Sequence, residues 1–132
     1  MNIYVRCIPQ DQHRFTTIGD WWEDGDALEV RISAELDWRY QFAVLFHELI
    51  EFGICKVAGI TTVECDAFDA LFEREYEFGK WPRSVEAGFD KRCPYRRGHG
   101  WGSRFERLVI FLLGASWSGY IDACDKLMGV SQ

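Results

Sequence analysis

No stretch of this sequence stays apolar for the ~18–20 residues that a membrane span needs without a charge interrupting it. The opening segment, MNIYVRCIPQDQ, lacks the long apolar core of a secretory signal, so none is expected there. No two cysteines stand at CxxC spacing. The five present, Cys7, Cys55, Cys65, Cys93 and Cys124, are odd in number. This argues against a disulfide framework and against a cysteine-rich structural zinc site. They are expected to be reduced, mostly buried small hydrophobes of a cytoplasmic protein. Basic residues are outnumbered, 15 Lys and Arg against 21 Asp and Glu, for a net charge of −6. That balance argues against a protein that coats nucleic acid. Internal repeats and low-complexity segments are also absent.

What remains is rich in core-forming side chains. Of 132 residues, 48% are apolar and 16% aromatic, which suffices for a packed core and fits one domain over residues 1–132. The charge is unevenly spread, with 8 basic and 17 acidic side chains in residues 1–86 but 7 basic and 4 acidic in residues 87–132. The basic excess gathers at Lys91, Arg92, Arg96, Arg97, Arg104 and Arg107. It reads either as a solvated face or as a docking patch for an acidic partner or phosphate.

The chain begins β-like and continues helical. Asn2–Ile8 alternates and reads as a first strand. Arg14–Trp22 and Ala27–Ser33 read as two more, joined at an Asp-Gly step that signals a hairpin. Three short strands need a helix laid on their apolar face. Asp37 can cap one over Trp38–Ala58, with Gly59 as its stop. Thr61 and Glu64 match a capping box for a second helix, from about Thr62 to Phe78. Residues 80–98, with Pro82 and Pro94, read as a long irregular connection. A third helix is expected from about His99 to Leu113, and a fourth from Trp117 to Met128, capped by Ser116. The fold class is α+β: a small antiparallel sheet of about three strands on a buried helix, then two or three further helices.

The informative motif is His47-Glu48-Leu49-Ile50-Glu51. From Phe42 to Ile54 every other residue is apolar or glycine, so the helix is expected to be buried nearly all round. Ionisable groups in such a helix are costly unless paired, hydrogen-bonded or bound to a metal. His47 and Glu51, four apart, share a face. Glu48 lies ~100° further round. This is the layout of HExxH metalloenzymes, two ligands with a general-base Glu after the first, here with Glu51 in place of the second His. The same three residues also fit a structural hydrogen-bond and salt-bridge cluster.

Further candidates lie downstream. Asp66, Asp69 and Glu73 form one carboxylate face of the second helix, and Asp69 could turn toward His47. His99 and Glu106 share a face of the third helix, with the small Ser103 between them. A divalent metal, zinc for choice, would then take His47, Glu51, Asp69 and His99. A bundle-type site for one or two ions would add Glu106. A different class is a non-enzymatic protein that binds a host protein or peptide, using Trp21-Trp22 as an aromatic surface. Arg-rich residues interleaved with Tyr95, Trp101 and Phe105 suit nucleic acid, but only in one segment of an acidic chain.

The order of these motifs resembles a family of small proteins of tailed phages and prophages. The matching stretches are IGDWW (18–22), HELIE (47–51), AGIT (58–61), DAFD (66–69), Pro94-Tyr95, His99, FERL (105–108), LGASW (113–117) and Tyr120. The resemblance implies phage or prophage origin and a place in the host cytoplasm. A weaker resemblance is to minimal zincin-like metallopeptidases: a small sheet, a helix bearing the HExx motif, and ligand-bearing helices after it. That resemblance implies metal-assisted hydrolysis, with Glu48 as the base and Tyr95 or the Arg96-Arg97 pair holding an oxyanion or an acidic substrate.

Overall fold

The computed structural model describes residues 1–130. Three strands, β1 (Asn2–Ile8), β2 (Gly19–Asp24) and β3 (Ala27–Ser33), form a sheet in the order β1-β3-β2. Four helices follow: α1 (Trp38–Ala58), α2 (Thr62–Glu77), α3 (Arg96–Leu112) and α4 (Trp117–Met128). The α+β class is therefore as expected.

The sheet is mixed rather than antiparallel. β2 and β3 form the hairpin about Gly25, whose φ of 59° suits glycine. β1, however, runs parallel to β3, with Val5 beside Val30. The segment between β1 and β2 crosses over through a short 3-10 turn at Gln10–Gln12. That crossover consumes residues 14–18, which pattern alone assigned to the second strand. Leu28, Val30 and Ile32 of β3 are buried and face the helices.

Local capping sets the helix bounds. The Asp37 side chain accepts from Arg39 N at the start of α1, and Gly59 ends it in the left-handed conformation. Thr61 and Glu64 form the full capping box of α2. Ser116 accepts from Gly119 N to start α4. α3 begins at Arg96, three residues earlier than expected. Its glycines do not break it, because two of them are where α3 lies against α1. A methyl group added at Gly98 would sit 2.8 Å from the Glu51 carbonyl oxygen, and one at Gly102 would sit 2.9 Å from that of His47. The i, i+4 spacing on one helix thus faces the i, i+4 spacing on the other, and the seam between them holds the ionisable residues.

Candidate metal centre

His47, Glu48 and Glu51 are buried, each at most 7% exposed. His99 meets them from α3. Three atoms converge: His47 Nε2 lies 3.1 Å from Glu51 Oε2, His99 Nδ1 lies 3.1 Å from the same oxygen, and the two nitrogens are 3.2 Å apart. This group of two imidazoles and one carboxylate can hold a metal ion. Tetrahedral nitrogen and oxygen ligands of zinc, ~2.0–2.1 Å from the ion, stand roughly 3.3 Å from one another. The observed triangle has that size.

The outer partners of each ligand fit the same use. Glu106 Oε2 lies 2.9 Å from His47 Nδ1, and a carboxylate only accepts. Nδ1 therefore carries the hydrogen and Nε2 is the inward atom. Tyr120 donates to the other oxygen of Glu106. Trp21 Nε1 donates to Glu51 Oε1 at 2.9 Å, which leaves Oε2 for the centre. Glu86 Oε1 lies 3.4 Å from His99 Nε2, an ion-pair distance longer than a good hydrogen bond. Carboxylates and dipoles behind the ligands orient them and raise their basicity.

Without an ion, protons supply the positive charge. Burial alone would lower His99, but Glu51 and Glu86 outweigh it and hold it at about 9. His47 is also raised, its burial overcome by Glu106 and Glu51. Burial pushes Glu51 up, yet the hydrogen bonds from His47 and His99 bring it down to about 2. Glu48 shows the opposite outcome. Burial and the neighbouring Glu51 carboxylate push it well above the ordinary range. Its carboxyl group makes no hydrogen bond among the described residues and faces a cavity of about 460 Å³ that also reaches His47, Glu51 and His99.

Glycines pack against each of these four side chains. A methyl at Gly19 would sit 2.6 Å from Glu48 Oε1, and one at Gly88 would overlap the His99 ring. Gly98 and Gly102 do the same for Glu51 and His47. The loop carrying Gly88, with a 3-10 turn at Ala87–Phe89, closes on His99 from outside the seam.

The other expected residues fall in different places. Asp69 lines the cavity but is outside the converging trio, because Tyr95 Oη donates to its Oδ1 at 2.5 Å. Burial holds Asp69 at about 7 against that hydrogen bond. Asp66 is taken by Arg14, and Glu73 by Thr16 with Arg83 nearby. Tyr95, expected to hold an oxyanion or substrate, lines the cavity. Arg96 and Arg97 do not. They are exposed on the outer side of α3 with Trp101 and Arg104, since the first turn of α3 aims Gly98 and His99 inward. Trp21 is buried against Phe52, and Trp22 is covered by Arg14 and Arg31, so the pair offers no open aromatic surface. All five cysteines are free, with Cys55, Cys65 and Cys93 buried and Cys7 exposed.

Sequence reasoning missed Trp21, Glu86 and Tyr120 as partners of the ligands, and the glycines that seat them. One signal was available: Gly98 and Gly102, four apart beside His99, match the spacing of His47 and Glu51. No family model, curated protein or solved structure matches the chain. What the cluster can do is therefore read from its geometry.

Proposed function

We propose that the protein is a zinc-dependent hydrolase whose ion is held by His47, Glu51 and His99. The observation that carries this is the triangle of three ligand atoms, with His47 and Glu51 each hydrogen-bonded to an outer partner and Glu86 at ion-pair distance behind His99. Two imidazoles and a carboxylate form a donor set that zinc takes in catalytic sites, with a further position left for water or substrate. A divalent ion supplies Lewis acidity and makes water more acidic at neutral pH. The chain's own contribution is then proton handling and positioning. Glu48 faces the cavity and makes no hydrogen bond among the described residues. Burial favours its neutral form without an ion, and the positive charge of a bound ion would favour its carboxylate, the form that can accept a proton from the attacking water. Tyr95 also lines the cavity, but its single hydroxyl hydrogen is committed to Asp69, so it is not the donor to a developing oxyanion. The exposed Arg96 and Arg97 have no part in this site. The phage resemblance adds an expected setting, the host cytoplasm.

The second reading is a structural ion-pair cluster in a protein that binds a host protein. It is supported by the charge arrangement itself, since Glu51 and Glu106 flank His47 and can pair with its charged form. Metal analysis after dialysis against zinc separates the two. The proposal expects one zinc per chain in the native protein, loss of that zinc in His99→Ala, and retention in Glu48→Gln. Hydrolysis of a fluorescein-labelled denatured protein should appear with the native chain and vanish in Glu48→Gln. A native chain without stoichiometric zinc overturns the metal centre. A zinc-loaded chain inert in this assay overturns hydrolysis of protein substrates and leaves the centre standing.

A further inference from the structure

The three-stranded sheet has two edges, and they are finished differently. At the β2 edge, Glu23 N donates to Thr62 Oγ1 at the start of α2. The β1 edge has no such cover among the described residues. Asn2 N donates to Asp26 O and Ala34 N donates to Ile8 O, so the even-numbered residues of β1 turn their backbone groups toward β3. In a parallel pair the alternate residues turn theirs away. Ile3, Val5 and Cys7 therefore present free N–H and C=O groups along an open edge.

The side chains of this edge are also unusual. The parallel register sets Ile3, Val5 and Cys7 beside Leu28, Val30 and Ile32, on the side of the sheet that faces the helices. The β3 residues are 0–2% exposed, whereas Ile3 is 51% and Val5 43% exposed. Helix α1 begins soon after β3 ends, and its first turns leave Trp38 and Phe42 about half exposed. The apolar layer of the domain thus continues past the last strand, uncovered among the described residues.

We propose that a second copy of this chain covers the edge, pairing β1 with β1 antiparallel about a two-fold axis through Val5. Backbone parity and charge select this register. Antiparallel pairing requires outward-facing residues to stand opposite one another. Centred on Val5, all three do so: Val5 opposite Val5, and Ile3 opposite Cys7 in both directions. The same register sets Tyr4 opposite Arg6, where ring and guanidinium can stack. Moving the axis to Arg6 would set two arginines directly opposite each other, and moving it to Tyr4 would set Cys7 opposite Met1, outside the strand. Ile3, Val5, Trp38 and Phe42 are 43–51% exposed, so a second copy has apolar surface to cover beside the paired edge. Closed two-fold pairing also removes the free edge, which otherwise templates aggregation.

The test is sedimentation velocity of the full chain across the micromolar range. The native protein should sediment as a dimer. Val5→Lys and Val5→Glu should each be monomeric, because residue 5 faces its own copy. Their equimolar mixture should dimerise again. Zinc content and far-ultraviolet circular dichroism report whether each variant is folded. If either variant fails to fold, Ile3→Cys gives an independent readout: a short bis-maleimide should join it to Cys7 of the second copy. A monomeric native chain overturns the proposal. So does a dimer that survives Val5→Lys, or a mixture of the two charged variants that stays monomeric.

Discussion

Helix α1 carries ionisable groups among the apolar residues of its buried face, and large apolar rings on its exposed one. Its inner face carries His47, Glu48 and Glu51, and its outer face carries Trp38, Phe42 and Phe46, all more than 40% exposed. An ordinary surface helix keeps such groups outside and such rings inside. The inner groups are tolerated because each is paired, neutralised by a proton, or set to take a metal ion. The outer rings have no such account within one chain. Burial on α1 follows ionic chemistry on one face, and on the other, in the proposed dimer, a second copy would cover part of the apolar surface. The two faces also give a clean experimental division: changes on the inner face should act on metal and stability, and changes on the outer face on association.

The largest effect is expected from Glu51→Ala. It removes the one oxygen shared by both histidines and the acceptor of Trp21. Breaking a buried pair by deleting one partner costs ~3–5 kcal/mol. The low end is expected, since a histidine left unpaired can lose its proton. Zinc affinity should fall by more than the ~10–100-fold typical of outer-shell changes. Isothermal titration with zinc and urea unfolding of the chelator-treated protein read the two. An unchanged affinity would remove Glu51 from the ligand set. On the other face, Phe46→Ser should leave the zinc isotherm where it is.

Gly102→Ala ranks next. The added methyl would press on the His47 carbonyl and ring, and overpacking of this kind costs ~1–3 kcal/mol. A loss of zinc affinity should accompany it, because the seam must open to admit the methyl group. Trp21→Phe follows. It keeps an aromatic ring near Phe52, shortens the buried side chain, and removes the donor to Glu51. Hydrogen bonds to charged groups are worth about 1.5–3 kcal/mol. A drop in zinc affinity of ~10–100-fold is expected. If Trp21→Phe binds zinc like the native chain, the indole does not orient Glu51.

How much of this was legible in the sequence follows from where the information lies. Helix bounds were legible wherever a cap was local: Asp37, Thr61 with Glu64, and Ser116 all act within three residues of themselves. The buried HELIE motif was legible because charges inside an apolar run violate burial rules on their face. His99 and Glu106 were legible as a helix-face pair, although the start of α3 was not, because glycines that look like helix breakers were packing positions. The parallel β1 and the exposure of Arg96 and Arg97 were not legible. Both depend on which neighbour the chain meets after a crossover, and no short window records that. Asp69 was misplaced for a related reason: its spacing suited the centre, but Tyr95, contributed from residues far along the chain, claims its oxygen first.

The smallest predicted effect on zinc binding concerns that same Asp69, and it sharpens the border of the inner face. Its carboxyl group is held at about 7, above its ordinary value near 3.8, chiefly by burial. Between these values the folded chain keeps a proton that the unfolded chain has lost. The group's stabilising contribution is therefore complete below its unfolded value and is lost as pH rises through about 7. Asp69→Asn stays neutral throughout and still offers an oxygen to Tyr95. Native and variant protein, both chelator-treated, should differ least in urea midpoint at or below ~pH 4, and the variant should gain steadily on the native chain as pH rises to about 7, levelling off above it. Zinc affinity should hardly change, because Asp69 is outside the trio. A constant difference between the two proteins across this range would mean that Asp69 is already charged at the lower pH. A large loss of zinc in the variant would instead make Asp69 a ligand, and the inner face would extend from α1 and α3 onto α2.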